Sequence, residues 1–270
     1  MELIDIGANL THESFHADRD AVLQSAQAAG VTQLVVTGAS FEGSEQALAL
    51  ARAQPGTLFA TAGVHPHRAT DWSTEGEARL RELLAAPELV AVGEAGLDYF
   101  RDFSPRDAQA RAFEAQLQMG ADSGLPMFLH LRDAHEDFHA LLKSFRHQLS
   151  DVVVHCFTGS RDELHAYLDL DCHIGITGWI CDERRGTHMK AYLGDIPAER
   201  LMIETDAPYL KPRNLRPRVK SHRNEPRHLP WILGTLAAVR GEHPATLAAS
   251  TTATARRFFR LPAAPSPAAY

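Results

Sequence analysis

Short apolar runs and longer amphipathic stretches alternate along most of the chain. The compact runs are Leu3–Ile6, Gln33–Thr37, Leu58–Ala62, Val90–Glu94, Met127–Leu131, Val152–His155, His173–Gly175 and Leu201–Ile203. They are mostly Val, Ile and Leu, as strands covered on both faces are. Between them, Arg19–Ala29, Ser44–Ala53, Thr74–Ala85, Ala108–Ser123, Ala134–His147, Arg161–Leu168 and Met189–Gly194 read as helices. Several stop at glycine: Gly30, Gly124 and Gly194. Leu229–Arg240 and Pro244–Phe259 follow the eighth run as further helices.

Eight strands alternating with helices over about 250 residues predict an α/β fold, a single (β/α)8 TIM barrel. Its rival is an open doubly wound sheet, which strand count and length disfavour. No linker rich in Gly, Ser or charge divides the chain, so residues 1–261 are expected to form one domain. The Pro/Ala-rich tail, 262–270, is expected to be disordered. Beyond the strand–helix alternation there is no fixed-period repeat.

Composition changes this picture little. A chain of 270 residues can bury a full core without disulfides or a structural metal. A formal net charge of −7 excludes a globally basic nucleic-acid binder but leaves room for a local basic patch. Cys156, Cys172 and Cys181 show no C-x-x-C spacing, and an odd count argues against a disulfide framework, so a reducing, cytoplasmic setting is expected. Met1–Leu10 lacks the basic region and apolar core of a signal peptide. The longest uncharged run, Ala21–Phe41, carries three glutamines and Gly30 and does not read as a membrane span.

Candidate chemistry comes from 15 histidines. In a (β/α)8 barrel the active site lies at the C-terminal ends of the strands. The fourth run ends at Glu94, the fifth near His130 and the sixth at His155. The third leads into Gly63-Val64-His65-Pro66-His67, and the eighth into Glu204-Thr205-Asp206. Imidazoles and carboxylates delivered to one rim by five strands make a metal site, suited to Mn2+, Zn2+ or Fe2+, or to Mg2+ with added waters. His12, His16, His135, His139, His147, His165, His188 and His243 fall in helices or loops and read as solvated. His173 begins a strand, so its expected role is stability.

Lys211 to His228 holds seven Lys or Arg against one acid, Glu225. Prolines 212, 217 and 226 argue against a regular helix, so the stretch reads as a loop over the mouth that grips phosphate. Its candidates are Arg213, Arg216 and Arg223, with Arg132 beside the fifth strand. Trp179 and Tyr99, with Phe103 and Phe157, lie in or next to rim loops where they could stack on unpaired bases.

At these residues the sequence resembles the TatD family of metal-dependent deoxyribonucleases. The resemblance rests on TAGVHPH (61–67), GEAGLDY (93–99), LHLRD (129–133), HCFTG (155–159) and IETDAPY (203–209), in the family's order. GITGWICDERRG (175–186) and RNEPRHL (223–229) resemble the family's eponymous branch. The family is similar in fold to the amidohydrolases. The resemblance implies Glu94, His130 and His155 as metal ligands, joined by Asp206, the strand-eight aspartate. His65 and Asp98 are active-site neighbours, and Asp206 and Glu94 the catalytic carboxylates. It implies a 3′→5′ exonuclease on single-stranded DNA, with RNA also possible as substrate, and a role in DNA repair or degradation. The expected cofactor is Mg2+, with Mn2+ or Zn2+ as alternatives; no membrane and no obligate protein partner are expected. Most of the wider family carries His-x-His at the end of strand one, where Gly7 and Asn9 stand here, so one well-held metal is expected in the free protein. Two other readings stay open: a metallohydrolase of another bond, such as an aminoacyl-tRNA ester, and a non-catalytic binding barrel.

Overall fold

A computed structural model describes residues 1–217 and 220–264. Arg218, counted in the basic stretch, and residues 265–270 of the expected tail lie outside the described residues.

Eight parallel strands pair in sequence order: β1 (Leu3–Ala8), β2 (Val31–Val36), β3 (Leu58–Ala62), β4 (Leu89–Asp98), β5 (Met127–Arg132), β6 (Val152–Val154), β7 (His173–Ile176) and β8 (Leu201–Ile203). The last strand closes onto the first: Ala8 bridges Ala207, and Asp206 N–H donates to Gly7 O at 2.8 Å. The fold is therefore a TIM barrel. The expected runs Leu58–Ala62 and Leu201–Ile203 match their strands end to end, and β4 is longer than its run by four residues at its C-terminal end.

Six helices fill the first six crossovers: α1 (Arg19–Ala28), α2 (Phe41–Ala53), α3 (Thr74–Leu83), α4 (Arg106–Ser123), α5 (His135–Phe145) and α6 (Arg161–Asp169). After β8 come α7 (Leu229–Arg240) and α8 (Pro244–Phe258). The seventh crossover departs from expectation. Met189–Gly194 is not an α-helix but part of two 3-10 turns, His188–Ala191 and Leu193–Asp195. Six residues cannot repay the cost of nucleating an α-helix, whereas 3-10 geometry suits short pieces.

The core has two layers. Leu34, Val36, Leu58, Met127, Leu129 and Ile174 belong to the larger cluster, which joins strands to helices. Ile4, Ile6, Val35, Phe59, Phe128, Val153 and Met202 fill the barrel, and Phe258 and Phe259 of α8 belong with them. Side chains alternate along a strand. The inward positions Phe128, Val153 and Met202 are thus followed two residues on by His130, His155 and Glu204. The same alternation that packs the core carries the polar groups to the C-terminal mouth.

Candidate active site

Side chains from three other strands converge on Glu94 of β4. Its Oε1 lies 2.8 Å from His155 Nε2, 3.0 Å from His130 Nδ1 and 3.4 Å from His65 Nε2. Strand β4 gets this close to β5 because Gly93 and Gly96 flank Glu94 at positive φ. A Cβ on either would collide with the carbonyl of Phe128 or His130. The register of β4 against β5 slips between Val92 and Ala95, at the same place. A second carboxylate, Asp98, holds the outer side: its Oδ2 lies 2.7 Å from His67 Nε2 and 3.3 Å from His130 Nε2. At the far wall Asp206 Oδ1 accepts from Asn9 Nδ2 at 2.9 Å. Asp206 and Cys156 both sit in left-handed backbone just past their strands, at φ 53° and 47°, the kind of strain that clusters at functional sites.

The electrostatics follow from burial and from what faces each group. Burial alone would raise the Glu94 carboxyl, yet His65 and His155 hold it well below the usual range. Burial opposes charge on His155 too, but Glu204 and Glu94 raise it well above an ordinary histidine. His130 is raised by Asp98 and Glu94 against the same burial. His65 goes the other way, pushed down to about 3 by burial. Asp206 is pushed up to about 7, first by burial and then by Glu94 and Glu204, against the pull of His155. The Cys156 thiol is raised well above its usual range by burial and by Asp206 and Glu204, so it is not a poised nucleophile.

These residues fit a divalent ion. Donor atoms of His65, Glu94 and His130 all lie within 4.8 Å of one another, and two imidazoles with a carboxylate are a donor set for such ions. His65, expected as a neighbour, is therefore inside the tightest set. His155 reaches Glu94 from the opposite side, backed by Glu204.

The mouth opens into a cleft of about 1370 Å³ lined by these groups except the buried Glu204, and by Arg132, Trp179, Phe100, Phe103 and Tyr209. The Arg132 guanidinium stacks 4.9 Å from both the Phe100 and the Trp179 ring, and Arg185 covers Trp179 at 4.2 Å. Arg132 Nε and Trp179 Nε1 are buried without a hydrogen-bond partner. Phe100, Phe103 and Tyr209 are exposed large apolar side chains.

Other expected residues are elsewhere. Tyr99 is outside the cleft lining: its hydroxyl donates to Asp137 at 2.7 Å and its ring lies under Arg106. Phe157 borders the cleft but is buried against Tyr167. Arg213, Arg216 and Arg223 do not line the cleft either. Arg213 pairs with Glu183 at 2.9 Å. Arg223 clamps Asp18 at 2.7 Å and Glu225 at 3.1 Å over the Phe15 ring. Arg216 donates to the carbonyl of Leu215. Acids distant in sequence, Glu183 and Asp18, thus pair with two members of the basic run, Arg213 and Arg223. Conversely, His188 lines the cleft, bonded to the carbonyls of Arg185 and Thr158. Sequence reasoning placed Glu204 and His67 at strand ends without giving them a role, and passed over Phe100, Arg185 and Tyr209. The Glu204 signal was its spacing, two residues before Asp206 on the same strand end.

A family model described as TatD-related DNase matches residues 4–260. A curated relative from Erwinia billingiae, named 3′-5′ ssDNA/RNA exonuclease TatD, is 51% identical over 97% of this chain and 100% of its own. A relative of the same name from Escherichia coli K12 is 51% identical over 95% of this chain and 98% of its own. Among solved structures, the TatD homologue YjjV of E. coli K12 superposes with a TM-score of 0.88 at 28% identity, covering 96% of this chain and 98% of that one.

Proposed function

We propose, because the chain belongs to the family of TatD-related DNases, that it hydrolyses phosphodiester bonds of single-stranded DNA, and of RNA, from the 3′ end. The observation that carries this reading is the convergence of three imidazole nitrogens on Glu94 Oε1 at the barrel mouth. Glu94, His130 and His155 would hold a divalent ion, Mg2+ in the cell, with His65 close enough to join them. Such an ion supplies Lewis-acid polarisation of the phosphoryl oxygen and lowers the pKa of a water.

The chain's own residues do the rest. Asn9 holds Asp206 Oδ1, and Asp206 takes the proton of the attacking water. A carboxylate suffices as the acceptor because a divalent ion lowers the pKa of that water. Arg132, pinned between Phe100 and Trp179, grips a phosphate with its guanidinium. Phe100, Phe103, Trp179 and Tyr209 offer ring faces to bases, and only an unpaired strand has bases free to stack there. Residues 1–261 act as one catalytic domain. The setting is the cytoplasm and the role DNA repair or degradation. No helix among the described residues is long and apolar enough to cross a membrane.

The test is a 3′- or 5′-labelled single-stranded oligonucleotide with Mg2+, Mn2+ or EDTA. Mononucleotides released from the 3′ end only with metal are the expected result. Intact DNA and RNA beside a cleaved aminoacyl-tRNA ester would replace the reading with another hydrolase, and no turnover at all with a binding barrel.

A further inference from the structure

We propose that Glu204 is a positioning residue that decides which nitrogen of His155 faces Glu94 and the metal. The proposal rests on the metal site proposed for Glu94, His130 and His155. Glu204 is fully buried. Its two oxygens take two different partners at the end of β6: Oε1 accepts from the Cys156 N–H at 2.6 Å, and Oε2 lies 3.2 Å from His155 Nδ1. The carboxylate lies in a slot floored by glycine, since a Cβ at Gly7 or Gly175 would collide with one of its oxygens. Among the described residues its ion-pair partner is His155 alone, with no Lys or Arg beside it.

A carboxylate buried with no Lys or Arg beside it is costly to take out of water. One oxygen would satisfy Cys156. The second becomes necessary only if His155 must donate from Nδ1. With the proton fixed on Nδ1, the lone pair sits on Nε2, the nitrogen that lies 2.8 Å from Glu94 Oε1. Glutamine at 204 would have the same shape but one acceptor. Its oxygen would keep the Cys156 N–H, because that backbone group can only donate, and its NH2 would face Nδ1. His155 would then carry its proton on Nε2 and lose the lone pair that a metal needs.

The experiment is calorimetric titration of the metal-stripped full chain with Mn2+. Glu204→Gln should lower the Mn2+ affinity about 10- to 100-fold, with its melting temperature in EDTA close to wild type and activity recovering as Mn2+ is raised to saturation. Wild-type Mn2+ affinity in the folded variant overturns the proposal, and so does lost activity that saturating Mn2+ does not restore. Should Glu204→Gln fail to fold, Gly7→Ala decides in the same way, since it displaces the carboxylate from His155 without removing it. His130→Ala is the control for the underlying site. If that variant binds Mn2+ like wild type, the metal reading itself fails, whatever Glu204 does.

Discussion

His155 ends β6 at one mouth of the barrel, and His173 begins β7 at the other. They are almost equally buried, at 3% and 8% exposure. Burial opposes charge on both, yet they shift in opposite directions. His173 is pushed down to about 4. Its ring meets Phe258 edge-on at 4.9 Å, its Nδ1 has no hydrogen-bond partner, and nearby Arg200 pairs with Asp171 at 2.6 Å. At the other mouth Glu204 and Glu94 flank His155 on both ring nitrogens and raise it. Burial is thus not what separates a structural histidine from a candidate ligand. The difference is that two carboxylates lie within hydrogen-bond distance of the His155 ring nitrogens, whereas among the described residues none lies so close to His173, where the pull of Asp151 does not offset burial.

The sharpest way to break this comparison is to neutralise one group at each mouth. Asp206→Asn should lower kcat on single-stranded DNA about 10²- to 10⁴-fold, the usual contribution of a positioned base. His173→Gln should leave kcat near wild type. Near-normal turnover in Asp206→Asn would remove Asp206 from the chemistry, and a large kcat loss in His173→Gln would deny that the two mouths differ.

What could be read from the sequence divides along the same line. The strand ends were legible because buried parallel strands are continuous apolar runs, and polar residues at or just past the end of a run reach the rim: Glu94, His130, His155 and Asp206. The rim loops were not. Tyr99 sits one residue past Asp98, yet it packs under Arg106, whereas its neighbour Phe100 enters the cleft. Nothing in the local pattern distinguishes the two. The basic run misled for a different reason. Arg223 is neutralised by Asp18, 205 residues away in sequence, and pairing at that range is a property of the closed barrel. The role of Glu204 was hidden because it depends on two glycines, Gly7 and Gly175, on strands far apart in sequence that meet only when the barrel closes.

A smaller effect tests the two mouths by their pH dependence. His173 has a folded-state value of about 4, below its ordinary 6.5. The unfolded chain therefore takes the proton first, and this contribution is complete above about pH 6.5 and lost as the pH falls toward 4. Asp5, at the C-terminal mouth, accepts from Thr205 and Gly7, and burial pushes it up to about 7 from 3.8. Here the folded state takes the proton first, so the contribution is complete below about pH 3.8 and lost as the pH rises toward 7. Each is of order 2–4 kcal/mol. Denaturant titrations between pH 4 and 7 should show His173→Gln gaining relative stability toward acid, and Asp5→Asn gaining it toward neutral pH. His228, also pushed down to about 4 by burial, contributes in the same window as His173 and is unchanged in both variants. Parallel slopes in the two variants would contradict the contrast.

The smallest effect separates two kinds of arginine. Arg132 lies in the cleft between two rings, and its one ion pair among the described residues is a loose 3.6 Å contact with the exposed Asp133, while Arg213 is hydrogen-bonded to Glu183 at 2.9 Å. A guanidinium that grips a phosphate releases a counterion when substrate binds, and one already hydrogen-bonded to a carboxylate does not. Arg132→Ala should therefore raise KM for single-stranded DNA about tenfold and reduce the salt slope of kcat/KM by about one. Arg213→Ala should leave KM, its salt slope and the melting temperature near wild type, although Arg213 lies in the most basic stretch of the chain. A salt slope that moved with Arg213 and not with Arg132 would return the phosphate contact to the basic stretch. It would then follow that the Glu183 pair opens when substrate arrives, because Arg213 cannot serve both carboxylate and phosphate with the same nitrogens.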